Sequence, residues 1–311
     1  MTQIPRIPTA LALILMLSCV REAPKTRTQT AQSSPAESVS AKPAAAESGG
    51  QASAERPWAI LYAFPPEGEQ LRKAALVKKD TVWAGRSIVF GSLVQPVVIA
   101  SSGIGMTNAA ATTQHIIDTY HPKAIIFTGI CGGVNPQHQI GDIVIPEQWL
   151  THDYGFWGKN GFKTDSIDVG QPGTGEHRHM MDIVVDTQLT RKLGEAGNAI
   201  AFRFRTVAGR LPEISVGGLG VSGNAFIDSK PKREQLFHEL QAEIVDMESA
   251  AVVQTAHSAG IPVAVVRSCS DLAGGSGSET ASRQLEDFFQ VTAYNSALVV
   301  QQFLEMQQTN K

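Results

Sequence analysis

The stretch Pro-Val-Ala-Val-Val-Arg-Ser-Cys-Ser-Asp-Leu-Ala-Gly-Gly, residues 262 to 275, runs an apolar, β-branched segment directly into polar and chargeable side chains. Val263, Val265 and Val266 suit a strand covered on both faces, as in the sheet of an α/β protein. Arg267, Ser270 and Asp271 are too polar to be buried without partners, and Gly274-Gly275 ends the segment in a turn. Ligands of open α/β sheets sit at the carboxyl ends of strands, which makes Asp271 a first candidate for chemistry. The competing reading is an ordinary structural ion pair between Arg267 and Asp271.

Upstream, residues 243 to 251 predict a short strand turning into a helix. Asp246 and Glu248 fall near the first helical turn, where the dipole favours acids, and capping alone accounts for them. Taken with 262–275, the pattern predicts a βαβ unit whose parallel strands send Glu248 and Asp271 to the same side.

The chain has 311 residues, 42% of them hydrophobic, enough to bury a large core. A net charge of −3 with only 6% aromatic residues, and no stripe of Lys and Arg, argues against a nucleic-acid partner. At the start, Arg6 precedes an apolar run from Ala10 to Leu17, too short to span a bilayer but suited to a secretion signal. Ser18-Cys19 follows and resembles a bacterial lipobox. Residues 1–19 are therefore expected to be a lipoprotein-type signal, with Cys19 lipidated and the protein tethered to a membrane of the cell envelope or secreted. Residues 20–56 are rich in Ala, Ser and Pro and nearly devoid of large apolar side chains, which predicts a disordered tether. The folded domain is expected over 57–311. Its only cysteines, Cys131 and Cys269, are no disulfide framework, and their mutual pairing stays open. His177, Arg178 and His179 lack an ordered third ligand, so a solvated loop is expected there, and no metal or cofactor is expected for the protein.

In order along that domain, residues 58–64 predict a strand, and Pro65-Pro66 open a helix running toward Lys78. Glu67 and Glu69 read as first-turn acids, although they also stand at a strand's carboxyl end. Strands are predicted over 81–90 and 94–100. Glycines at 103 and 105 then precede an Ala-rich helix to Tyr120, an arrangement that can offer N–H groups to an anion or ribose. The strand 123–128 ends in glycines at 129, 132 and 133, and another strand covers 141–146. Residues 152–157 form an aromatic cluster suited to packing or to edging a pocket. Helices are predicted over 230–241 and 282–306.

Six segments in this order carry a resemblance: Ser-Gly-Ile-Gly at 102–105, Thr-Gly-Ile-Cys-Gly-Gly at 128–133, Gly-Asp-Ile-Val-Ile-Pro at 141–146, Val-Ser-Gly-Asn-Ala-Phe-Ile at 221–227, Asp-Met-Glu-Ser-Ala-Ala at 246–251 and Val-Val-Arg-Ser-Cys-Ser-Asp at 265–271. Together they resemble the purine nucleoside and uridine phosphorylase superfamily, and within it the 5′-methylthioadenosine/S-adenosylhomocysteine nucleosidases. Residues 151–211 match little of the pattern. The resemblance implies a single α/β domain of three layers, a central mixed sheet flanked by helices, and a homodimer acting on a small-molecule nucleoside. It also implies roles. Asp271 looks like the general acid to the purine, Glu67 like the carboxylate that activates water, and Arg267 and Ser270 like their supports. Glu248 with Met247 resembles the ribose clamp, Phe226 the aromatic that stacks on the base, and the Ile227 main chain a purine-edge contact. Ile104, Cys131 and Gly132 complete the expected substrate-binding set.

Three positions depart from the pattern: Ile130 where nucleosidases usually have Ser, Asn224 where Asp is usual, and Leu285 where an aromatic is frequent. Phosphorylases of this superfamily typically carry an Arg just before the corresponding strand end, and Ile125-Ile126-Phe127 stands there instead, so the resemblance implies water rather than phosphate as the attacking group. Phosphorolysis, and a non-catalytic nucleoside-binding or storage lipoprotein, are the alternatives.

Overall fold

The computed structural model describes residues 55–309. Cys19, the signal segment and nearly all of the expected tether lie outside those residues. In chain order the elements are β1 (Trp58–Tyr62), α1 (Pro65–Ala74), β2 (Leu76–Trp83), β3 (Arg86–Leu93), β4 (Gln95–Ser101), α2 (Met106–Tyr120), β5 (Ala124–Gly133), β6 (Ile143–Ile145), β7 (Gln148–Thr151), β8 (Gly155–Gly158), β9 (Gly161–Thr164), β10 (Ile167–Gly170), β11 (His177–Met180), β12 (Ile183–Val184), α3 (Thr187–Ala199), β13 (Ile214–Val216), β14 (Leu219–Ser222), α4 (Lys230–Leu240), β15 (Ala242–Asp246), α5 (Ser249–Ser258), β16 (Val263–Asp271) and α6 (Ala281–Thr309).

Twelve strands form one mixed sheet, and β8–β9 and β10–β11 are separate hairpins. β1 lies between β4 and β5 and is parallel to both. The central strands are apolar on both faces, and their side chains alternate between two cores. Ala59, Leu61, Ile125, Phe127, Val263 and Val265 pack with α2 and α5, whereas Ile60, Ile126, Ala264 and Val266 pack with α1, α3 and α6. This is the expected three-layer arrangement of a mixed sheet between helices.

The predicted βαβ unit is corrected. β16 runs parallel to β5, but β15 pairs with the glycine end of β5 in the antiparallel sense, Ile244 opposite Gly133 and Val245 opposite Gly132. β15 and β16 therefore meet at β5 from opposite directions, and α5 is not a simple parallel crossover. The glycines at 129–133 continue β5 rather than ending it. A second correction concerns residues 76–93. α1 stops at Ala74, and Leu76–Leu93 is a hairpin, not a helix tail followed by one strand. Its turn is Ala84-Gly85, both left-handed at φ 48° and 76°, the conformation that two-residue hairpins require.

Candidate active site

β16 pairs with β5 in regular register until a bulge between Cys269 and Asp271 leaves Asp271 opposite Gly132 and Ser270 as the extra residue. Bulges re-aim side chains beside functional sites, and this one sets the Ser270-Asp271 pair. Asp271 is 2% exposed. Its Oδ1 accepts from the Ala273 N–H at 2.8 Å, and the Ser270 hydroxyl reaches Oδ2 at 2.9 Å and the Cys131 carbonyl at 3.2 Å. Burial drives the Asp271 pKa up to about 7, against the pull of those two hydrogen bonds. With Asp271 protonated, its O–H can donate to Ser270 while Ser270 donates to Cys131, and every group in the chain is satisfied. Gly132 allows this approach, since a Cβ there would lie 2.9 Å from Asp271 Oδ1.

Three residues back along β5, about 10 Å at strand spacing, Gly129 faces the other half of the site. A Cβ at 129 would collide with Glu67 Oε1 and Arg267 Nη1. Glu67 lies in the first turn of α1, directly after β1, and is 1% exposed. Main-chain N–H groups hold it: Ala63 and Phe64 donate to Oε2 at 2.6 and 3.3 Å, and Ile130 to Oε1 at 2.8 Å. Burial raises its pKa, and Arg267 and the three N–H groups oppose the rise.

Arg267 is fully buried on β16 with its guanidinium 4.1 Å from the centre of the Phe127 ring. It serves three carboxylates. Nε lies 2.9 Å from Asp246 Oδ2, Nη1 3.5 Å from Glu67 Oε1 and Nη2 3.8 Å from Glu248 Oε2, and Nε and Nη2 also donate to Ser249 Oγ at 3.2 and 3.0 Å. Burial opposes the charge on Arg267, but the three carboxylates outweigh it and raise its pKa. Asp246 in turn accepts from the Ser222 and Ser249 hydroxyls and from the Glu248 and Ser249 N–H groups. Glu248 accepts from the Gly105 N–H at 2.8 Å, and burial first, then Asp246, pushes its pKa up to about 8. One buried cation among three carboxylates thus leaves the cluster holding a proton at neutral pH.

The sequence profile of the phosphorylase superfamily matches residues 57–305. The chain belongs to that superfamily. A 5′-methylthioadenosine/S-adenosylhomocysteine nucleosidase of Geobacillus kaustophilus is 31% identical over 254 residues, which span 80% of this chain and 96% of that protein. One from Exiguobacterium sp. is 31% identical over 244 residues, 78% of this chain and 94% of its own. The structure of the Neisseria meningitidis nucleosidase in complex with methylthio-immucillin-A superimposes with a TM-score of 0.66 at 27% identity, covering 81% of this chain and 99% of that one. Futalosine hydrolase of Helicobacter pylori, at 22% identity and a TM-score of 0.65, shares the fold.

Of the residues singled out from sequence, Arg267 joins Glu67 and Glu248, and Asp271, Ser270, Cys131 and Gly132 form a second group at the next residues of β5. Ile104 is half-buried between Gly103 and Gly105, both left-handed at φ 77° and 93°. Met247 is half-buried beside Glu248, and Ile227 is buried, but Phe226 stands open at the rim, 44% exposed. Arg267 and Asp271 do not form the ion pair that their spacing suggested; Arg267 turns to Asp246 instead. Sequence reading missed Asp246 as the nearest partner of Arg267, and missed Ser249, although the Asp-x-x-Ser spacing at a helix start was a signal.

Two departures from the family pattern have local accounts. Ile130 meets Glu67 through its main chain, which any side chain at 130 preserves. Asn224 Oδ1 accepts from the Met106 N–H at the start of α2, 3.1 Å, a bond an amide oxygen makes as well as a carboxylate. Leu285 is half-buried on α6, and one turn on, Phe289 packs against Phe64 at 6.4 Å between ring centres. Cys131 and Cys269 are free thiols with sulfurs 3.8 Å apart. His177–Met180 is an exposed strand of the β10–β11 hairpin rather than the expected loop, with His177 paired to Asp168 at 3.2 Å, and among the described residues no group of three His, Cys, Asp or Glu could hold a metal.

Proposed function

We propose that this chain hydrolyses the N-glycosidic bond of a purine nucleoside of the 5′-methylthioadenosine or S-adenosylhomocysteine type. One observation carries the reading: two buried carboxyls at one sheet end live in opposite environments. Asp271 has hydrogen bonds but no contacting cation and titrates near 7, while Glu67 touches Arg267. Cleaving this bond builds positive charge on the sugar and negative charge on the base, and that asymmetry matches an acid on one side and an ionised carboxylate on the other. In the proposed reaction, Asp271 gives its proton to N7 as the bond from C1′ breaks and its electron pair moves onto the purine. Glu67 accepts a proton from the water whose oxygen bonds to C1′. Glu248 grips the ribose hydroxyls from the Arg267 cluster.

The names and identities of the relatives support the nucleosidase reading. Incubating the full chain with methylthioadenosine, S-adenosylhomocysteine, adenosine and inosine, with and without phosphate, tests it. Base release independent of phosphate is expected; binding without release of base sinks the proposal, and a strict phosphate requirement replaces it with phosphorolysis.

A homodimer belongs to the same proposal. Tyr154, Phe156 and Trp157 are 50%, 67% and 76% exposed, and Asp153 next to them accepts from the Asn224 N–H at 2.7 Å, so this patch borders the 223–227 loop. Sedimentation of the full chain and of Trp157→Glu tests it, with the variant expected to be monomeric. Envelope anchoring through Cys19 stays a proposal from the sequence motif, and mass spectrometry of the mature N-terminus decides it.

A further inference from the structure

Gln284 is a buried polar residue that the chemistry above does not use. It sits in the first turn of α6, fully buried, and its amide makes three contacts. Oε1 accepts from the Leu272 N–H at 3.0 Å, and Nε2 donates to Ser276 Oγ at 3.0 Å and to Glu279 Oε2 at 3.2 Å. Leu272 directly follows Asp271, and the next N–H, of Ala273, holds the Asp271 carboxyl itself. Gln284 therefore fixes the peptide on which the acid hangs. Four of the connecting residues, Ala273, Gly274, Gly275 and Gly277, have positive φ of 51°, 153°, 73° and 60°, so the strap between β16 and α6 has little intrinsic preference for this path.

The start of α6 is held from the opposite side of the site. Asp228 follows Ile227 in the loop that carries Phe226. Its Oδ1 accepts from the Ala281 N–H at 2.8 Å, and its Oδ2 from the Ser282 N–H at 3.2 Å and the Ser282 hydroxyl at 2.7 Å. The Arg283 and Gln284 N–H groups go to the side chain and carbonyl of Thr280. The Gln284 bond is the first of the i→i−4 ladder, and the three amides before it, of Ala281, Ser282 and Arg283, are all satisfied, two of them by Asp228 from outside the helix. The strap also touches the loop's far end, for a Cβ at Gly274 would run into the Lys230 main chain.

We infer that Asp228 and Gln284 are positioning residues that tie the 223–228 loop, through the first turn of α6, to the main chain carrying Asp271. The tie makes the direction of the acid depend on the seat of the loop expected to contact the purine. This inference rests on the nucleosidase reading, and wild-type turnover, measured first, tests that reading alone.

The tie itself is tested in the full chain with Asp228→Ala, Asp228→Asn, Gln284→Leu and the double variant Asp228→Ala/Gln284→Leu. Asp228→Ala and Gln284→Leu are each expected to lower kcat on the order of tenfold with little change in KM, as for groups acting only in the transition state. Asp228→Asn, whose single amide oxygen keeps one side of the cap and turns its NH2 toward the other donor, is expected to recover kcat in part, and the double variant to fall no further than either alanine or leucine single variant. A loss of melting temperature with kcat unchanged, losses that multiply in the double variant, or an Asn variant no better than Ala would each overturn the inference. If Asp228→Ala does not fold, Ser282→Ala, which removes one of the three bonds, takes its place with a smaller loss of kcat expected. Should the wild type release no base, hydrogen exchange carries the test. Leu272 and Ala273 amides are expected to exchange faster in Asp228→Ala or Ser282→Ala and at an intermediate rate in Asp228→Asn, and unchanged exchange in the loosened variant would reject the tie.

Discussion

The two halves of the site keep buried carboxyls by opposite means. On the Glu67 side, one guanidinium compensates three carboxylates, and hydroxyls and main-chain N–H groups fill the remaining valences. On the Asp271 side there is a single acid, one serine and one N–H, and no cation in contact. Burial raises the carboxyls of both halves, but in the first a touching guanidinium opposes the rise, and in the second only hydrogen bonds do. The same side-chain chemistry is thus set in two environments, one with a cation in contact and one without, beside glycines three residues apart on β5.

Removing the shared cation is the most severe way to break this contrast. Arg267→Met leaves three buried carboxylates without their partner and is expected to cost about 3–5 kcal/mol of stability, read from denaturant midpoints. Glu67→Gln removes the proposed base together with its half of the Arg267 pair and turns a buried NH2 toward N–H donors, so kcat is expected to drop on the order of a thousandfold and the melting temperature to fall, though by less than for Arg267→Met. Asp271→Asn tests the other half and should lower kcat on the order of a hundredfold. Its stability should change with the opposite sign. A carboxyl whose folded pKa is raised gives stability that is present below its ordinary pKa of 3.8 and lost as pH rises through about 7. The Asn variant lacks that loss and should be relatively more stable above neutrality, as denaturant titrations at pH 5 and pH 8 would show.

The pH dependence of kcat/KM sharpens the same contrast. Activity is expected to fall as pH rises past about 7, where Asp271 loses its proton, and to fall on the acid side at a pH above the usual carboxylate range, because burial raises Glu67. A profile flat from pH 6 to 9 would break the assignment of Asp271 as acid. The smallest effect is expected for Asn224→Asp, less than threefold in kcat/KM, since the oxygen that caps α2 is kept.

Much of the fold was legible because the central strands are apolar runs bounded by glycines, and the helices carry their own stripes. The hairpin at 76–93 was not, because Leu76 and Val77 extend the apolar spacing of α1, and two lysines hide the alternation. The direction of β15 was illegible for a different reason: strand pairing is a tertiary choice, and a strand, helix, strand spacing reads the same whichever way the sheet receives it. At the site, residue types alone left Glu67 and Asp246 as helix-start acids. Family resemblance drew out Glu67, but only the coordinates show that Asp246 takes the Arg267 bond that spacing had offered to Asp271. Gln284 gave no sign, since a glutamine in a first helical turn is ordinarily solvated.

Glu67 is gripped by the peptide groups of residues 63, 64 and 130. Side-chain scanning cannot delete such contacts, so an alanine survey of the surroundings would report few contributors to the basicity of the residue proposed to activate water. Apart from burial and Arg267, the determinants are written in the path of the chain, and amide-to-ester exchange at residue 130 is the chemistry able to expose them. For redesign, this means that the side chain at 130 can be exchanged for any residue but proline while the N–H keeps serving the carboxylate.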